Sequence, residues 1–185
     1  MGKQQVGVIV GSLRQASFSK IVAQYLATQL GNDFDVKFID ISDLPIYNED
    51  IEGGDKTPAA WTRFRGEVGP LNAVLFVTPE YNRSMPAAIK NALDVGSRPY
   101  GGSVWSGKPG AVVSVSPGAL GAFGANHHLR QVATFLDIAM MQQPEAYVGN
   151  IANATSDGKV KDENVQGFLS TFAKAFTAWV NRLSA

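Results

Sequence analysis

Three short runs, Val6–Val10, Ala73–Thr78 and Ala111–Val115, are almost continuously apolar. A strand with one wet face alternates between apolar and polar residues. A run without alternation is buried on both faces, the condition of a parallel sheet covered by helices on either side. Val36–Ile41 reads as a second strand after the first, and Ala146–Val148 as a short fifth one. Helical spacing fills the intervals. Ser17–Leu30 carries Ile21, Tyr25, Leu26 and Leu30; Thr57–Pro58 reads as an N-cap and first residue opening a helix to about Val68. Pro86 opens another to about Val95, Ala125–Met141 forms a fourth, and a last helix over about Asp162–Leu183 places Phe168, Phe172, Phe176, Trp179, Val180 and Leu183 on one face. Five such units predict a doubly wound α/β fold with strand order 2-1-3-4-5. Ligands of that fold sit beyond the carboxyl ends of the strands, near the switch point between the first and third. The loops that matter are therefore those after Val10, Thr78 and Val115.

The first loop, Gly11–Lys20, holds Ser12, Ser17, Ser19 and Arg14 between a strand and a helix N-terminus. Backbone N–H groups there are unpaired and the helix dipole favours an anion. A helix cap needs one serine, not three and an arginine, so the composition points to a phosphate cradle. It contains neither Gly-Lys-Ser/Thr nor Gly-x-Gly-x-x-Gly. The second loop, Thr78–Pro86, is stiffened by two prolines and offers Glu80, Tyr81 and Asn82, groups suited to a flat heteroaromatic ligand; taken alone it reads equally as a turn with Ser84 capping the next helix. The third, Ser114–Gly124, has glycines at 118, 121 and 124 that let a ligand approach the backbone.

Composition removes several classes of function. The 185 residues form one expected domain over 1–185, and sixteen Lys and Arg balance sixteen Asp and Glu. That balance, without a basic block, argues against nucleic acid as a partner. No apolar run reaches the ~20 residues needed to span a bilayer, and no signal peptide is apparent, so a cytoplasmic protein is expected. The absence of Cys removes disulfides and thiol redox chemistry, so a bound cofactor would have to carry electrons. Residues 40–55 hold six acids and no base without calcium-loop spacing, and read as a solvated loop. His127 and His128 are helical neighbours on different faces, which argues against metal chelation by the pair.

Together the loops resemble the NADPH-dependent FMN reductase family, in its quinone and chromate reductase branch. The resemblance rests on Gly-Ser-Leu-Arg-x-x-Ser-Phe at 11–18, Pro-Glu-Tyr-Asn at 79–82, Pro-x-x-Ile-Lys-Asn-Ala-x-Asp at 86–94, His-Leu-Arg-Gln at 128–131 and Pro-Glu at 144–145. It implies a flavodoxin-like three-layer sandwich and a tightly bound, non-covalent FMN. Ser12, Arg14, Ser17, Phe18 and Ser19 would hold the phosphate. Pro79, Glu80, Tyr81 and Asn82 would border the isoalloxazine, with Ser116 and Gly118 on its other edge. Three positions depart from the family's usual pattern: Ser19 where Asn is frequent, Ala122-Phe123 after Gly121 where adjacent glycines are frequent, and His127 where a Tyr contacts a neighbouring subunit. Phe123 is expected to narrow the cleft.

The expected activity is ping-pong, two-electron reduction of quinones, chromate or free flavin by NAD(P)H, without a catalytic side chain. Arg98 is a candidate for attracting anionic acceptors or NADPH phosphates. A homodimer or homotetramer is expected, with residues 90–100 and 125–145 at the interface. The competing readings are a flavodoxin-like electron carrier without NAD(P)H turnover, which the neutral charge disfavours, and a flavin-free nucleotide fold in which Asp40, ending the second strand, holds a ribose hydroxyl.

Overall fold

The computed structural model describes residues 2–184. Strands β1 (Gln5–Val10), β2 (Asp35–Ile39), β3 (Ala73–Thr78) and β4 (Pro109–Val115) alternate with helices α1 (Phe18–Leu30), α2 (Ala59–Val68) and α3 (Ala87–Gly96). Then follow α4 (Phe123–Phe135), β5 (Ala139–Met140), β6 (Ala146–Val148), the single turn α5 (Ile151–Ala154), the hairpin β7–β8 (Thr155–Ser156 and Lys159–Val160) and α6 (Glu163–Leu183). The main sheet is parallel and runs β2-β1-β3-β4-β5, as the strand pattern predicts.

Two cores explain the continuous apolar runs. Val6, Val8, Leu75, Val77, Val113 and Val115 face α1 and α6; Ile9, Val74, Phe76 and Val112 face α2, α3 and α4. Alternate residues of each central strand thus enter opposite cores, and both sets must be apolar. β2 lies at the sheet edge, and there Asp35, Lys37 and Phe38 are exposed.

Several expected boundaries move. The fourth helix ends at Phe135, not Met141: Asp137 turns the chain in the left-handed region (φ 58°), and Ala139–Met140 pair with Pro109–Gly110. The apolar stretch Ile138–Met141 continues the helical pattern in sequence but is used as strand, because β4 offers it a free edge. Ala146–Val148 pair with Val113–Val115, so the fifth position is filled by two short strands, one against each end of β4. Thr57 does not cap α2; its hydroxyl accepts from Gly53 N instead, and Pro58 occupies the cap position. In α6 the buried stripe is Leu169, Phe172, Ala173, Phe176 and Val180, with Phe168 and Leu183 exposed. The region 149–161 holds α5 and a hairpin closed by Asp157 and Gly158, both at positive φ.

Candidate active site

The carboxyl ends of β1, β3 and β4 deliver the three loops to one side of the sheet. The loops after β1 and β3 touch. Gly11 N donates to Val77 O at 2.9 Å, and a Cβ at Gly11 would lie 2.9 Å from Thr78 Oγ1 and 3.3 Å from Pro79 Cδ. Only a residue without a side chain permits this approach.

α1 begins at Phe18 because Ser17 caps it: Ser17 Oγ accepts from Lys20 N at 3.2 Å. The capping reading therefore holds for Ser17. It does not account for Ser19, which is 2% exposed and whose hydroxyl has no hydrogen-bond partner among the described residues. The N–H groups of Phe18 and Ser19 likewise have no acceptor there, as expected for a first helical turn.

The loop after β3 is a tight hairpin rather than a proline-braced arc. Tyr81 N donates to Ser84 O (2.9 Å) and Ser84 N to Tyr81 O (3.0 Å), with Asn82 (φ 50°) and Arg83 (φ 66°) both left-handed. Two central residues at positive φ make a type I′ turn, a conformation Asn accepts readily. Ser84 does not cap α3, whose cap position is Pro86; its hydroxyl pairs with His128 Nδ1 at 2.9 Å.

The loop after β4 is shaped by its own backbone. Ser116 Oγ accepts from Gly118 N, and Gly118 O accepts from Gly121 N and Asn150 N. α4 then starts after Ala122, itself left-handed and without a capping side chain. The missing cap comes from another loop: Glu80 Oε2 accepts from Ala125 N at 3.0 Å.

These loops enclose a cleft of about 120 Å³. Nine of the eleven residues singled out for a cofactor line it: Ser12, Arg14, Ser17, Phe18, Ser19, Pro79, Glu80, Tyr81 and Ser116. Val115 and Pro117 complete the wall, and the sequence pattern did not single them out. Asn82 and Gly118 shape the adjoining turns without lining the cleft. Arg98 is separated from the group. It follows the far end of α3, about 15 Å along the helix from Pro86, where its guanidinium stacks 4.1 Å above the Tyr100 ring. Phe123 does not narrow the cleft either; it packs against His127 (4.2 Å) and Tyr147 (5.2 Å). His127 Nε2 meets the Tyr147 hydroxyl at 2.9 Å. Burial, reinforced by the hydrogen-bonding and charge of Glu145, pushes the Tyr147 phenol up to about 12. The role of Glu80 as a cap was also missed, although a signal existed: Gly-Ala-Phe-Gly-Ala at 121–125 contains no side chain able to accept from a helix N-terminus.

Compared with known proteins, residues 5–153 match the sequence profile of the NADPH-dependent FMN reductases. The chain belongs to this family. Among its relatives, a quinone reductase of Pseudomonas putida is 53% identical over 175 residues, covering 95% of this chain and 94% of that protein. A 2-hydroxy-1,4-benzoquinone reductase of a Burkholderia species is 43% identical over 177 residues, covering 95% and 96%. Of solved structures in this FMN reductase fold, FerB of Paracoccus denitrificans, a flavoenzyme NAD(P)H:(acceptor) oxidoreductase, superposes with a TM-score of 0.90 at 39% identity, covering 97% of this chain and 98% of that one. Membership is compatible with the lining: hydroxyls, an arginine and a helix N-terminus stand beside Pro79 and Tyr81 in one cleft.

Proposed function

We propose that residues 1–185 form a single FMN-binding domain that reduces quinones with NAD(P)H by two electrons. The observation that carries this is the unpaired donor set at the start of α1. The Ser19 hydroxyl, which no group among the described residues satisfies, and the free N–H groups of Phe18 and Ser19 line one cleft with Ser12 and Arg14, and donors left open at a helix N-terminus suit an anion. The FMN phosphate fits this set. When bound, the flavin supplies hydride transfer, from the reduced pyridine nucleotide to the acceptor.

The chain's own residues bind and orient. Ser12, Arg14, Phe18 and Ser19 hold the phosphate, Phe18 through its backbone N–H. Ser17 keeps α1 in register by capping it. Pro79 and Tyr81 border the ring on one edge and Ser116 on the other, with Asn82 and Gly118 holding the two turns in shape. Glu80 contributes through its peptide and by fixing the loop, since one carboxylate oxygen is occupied by α4. The donor and the acceptor use one exposed face in turn, giving ping-pong kinetics; chromate and free flavin are further acceptors of that open face.

Ligand pockets commonly measure ~300–1,000 Å³, and this cleft is smaller, so the ring extends over open surface beside Tyr81 and Pro117. A second copy of the chain covers it, through residues 90–100 and 125–145, where Tyr100 and Phe135 are 80% and 85% exposed. Arg98 serves anionic ligands only from such a neighbouring copy. Among the described residues no helix is long and apolar enough to cross a membrane, and the cytoplasm is the proposed location.

An anaerobic absorption titration tests the reading. Purified protein reconstituted with FMN shows a bound-flavin spectrum that bleaches with NADPH or NADH and returns when a benzoquinone is added. A spectrum that does not bleach makes the chain an electron carrier. Failure to bind FMN refutes the assignment of the cleft.

A further inference from the structure

On the other side of the β1–α1 loop from the flavin cleft lies a second hollow, of about 290 Å³, between that loop and the carboxyl end of β2. Ser12 and Arg14 line both cavities, so the two adjoin on either side of the same loop. Taken with the proposed flavin site, we infer that this hollow holds the adenosine half of the pyridine nucleotide, with Asp40 accepting hydrogen bonds from its ribose.

The lining has the three parts such a ligand needs. Leu13 and Phe38 are 55% and 49% exposed and stand at the hollow, an apolar pair suited to an adenine ring. Arg14 and Lys20 supply positive charge for a pyrophosphate. Asp40 directly follows Ile39, the last residue of β2. Its side chain is exposed to the hollow, and its Oδ1 accepts from Ser42 N at 2.9 Å. The hydrogen bonds from Ser42 hold this carboxyl below its ordinary range, so it is ionised and open as an acceptor. Arg63 fixes the local backbone by donating to Asp40 O at 3.2 Å.

The distance is also suitable. β2 and β4 are separated by three inter-strand steps, about 14 Å at ~4.8 Å each. A dinucleotide whose nicotinamide lies over the flavin between the β3 and β4 loops can place its adenosine beside β2 while its phosphates pass Arg14. An ionised carboxylate beside the ribose favours free hydroxyls and repels a 2′-phosphate. The hollow therefore selects NADH over NADPH.

The probes are ADP-ribose and its 2′-phosphorylated form, titrated calorimetrically into the FMN-loaded protein, with steady-state kinetics of NADH and NADPH against a benzoquinone. ADP-ribose is expected to bind, to compete with NADH, and to bind more tightly than the 2′-phosphorylated form. One lost charge-assisted hydrogen bond corresponds to roughly tenfold in affinity, so Asp40→Asn should weaken ADP-ribose by about that factor. It should raise KM for NADH, leave KM for the quinone where it was, and narrow the preference between the two dinucleotides. Phe38→Ser should weaken both probes. Three outcomes overturn the assignment: no binding of ADP-ribose, tighter binding of its 2′-phosphorylated form, or equal KM values for NADH in the wild type and Asp40→Asn. Should FAD displace FMN while ADP-ribose fails to bind, the hollow takes a flavin's own adenylate and the pyridine nucleotide assignment falls. A flavin that still bleaches with NADH in any of these cases leaves the proposed activity standing.

Discussion

Glu80 caps a helix to which it does not belong. Its carboxylate, on the loop after β3, accepts from Ala125 N at the start of α4, 45 residues later. The same bond ties the wall of the cleft formed by the β3 loop to the helix that follows the β4 loop. A carboxylate bonded at a helix N-terminus contributes about 1–3 kcal/mol. Glu80→Ala is expected to lower stability by that amount in chemical denaturation and to weaken FMN binding. Glu80→Gln keeps an acceptor and should recover most of the stability. Equal losses in both variants would show that the bond is not the cause.

Gly11 controls the approach of two loops. A Cβ there meets Thr78 Oγ1 at 2.9 Å and Pro79 Cδ at 3.3 Å, so Gly11→Ala must push the loops after β1 and β3 apart. Overpacking of this kind costs about 1–3 kcal/mol. Because the displaced segments carry the proposed phosphate and ring contacts, the cost should appear as roughly tenfold weaker FMN binding. Quenching of flavin fluorescence measures it directly.

Two ion pairs of similar length should behave differently. Arg65 and Glu52 meet at 2.6 Å and 2.9 Å in a two-pronged pair whose side chains are only 14% and 13% exposed, and Arg65 Nε also donates to Val95 O. Lys90 and Asp94 meet at 2.7 Å on an exposed helix surface. Removing one partner of a largely buried pair costs about 3 kcal/mol or more, whereas an exposed pair contributes about 0–1 kcal/mol. Glu52→Ala is therefore expected to unfold at clearly lower urea concentration than wild type, and Asp94→Ala at nearly the same one. The Glu52 variant should also expose residues 49–55 to proteolysis, since residues 40–47 keep their bonds to Arg63, Trp61 and Asn91 while Glu52 loses its own.

Alkaline pH should reach Tyr147 last. Its phenol is raised to about 12, chiefly by burial, against about 10 in the unfolded chain. Between those values the unfolded state has lost the proton that the folded state keeps, so stability falls as pH rises through this window. Ultraviolet titration should show one phenol ionising near the top of the range, and Tyr147→Phe should remove that component and flatten the stability loss above pH 10.

Burial pattern made much of the architecture legible. Val6–Val10, Ala73–Thr78 and Ala111–Val115 lack alternation because successive residues enter two different cores, and that fact alone implies a parallel sheet between helical layers. The serines and arginine of residues 12–19 were legible as a group lining one cleft, because no single cap requires so many donors. Periodicity failed at Ile138–Met141, where an apolar run suits a buried helix and a buried strand equally well, and only the free edge of β4 decided between them.

The sequence by itself determined the strand order, the loops that carry the site and nine of the residues that line the cleft, because these follow from local pattern and position along the chain. Tertiary structure decided what depends on distant partners. It stacked Arg98 on Tyr100 away from the cleft, turned Phe123 toward His127 and Tyr147, engaged Glu80 at α4, and placed Asp40 beside the loop after β1. The contacts of Phe123 with Tyr147, of Glu80 with α4 and of Asp40 with the β1 loop join segments far apart in the chain, and composition and periodicity describe only the segment in which they are read.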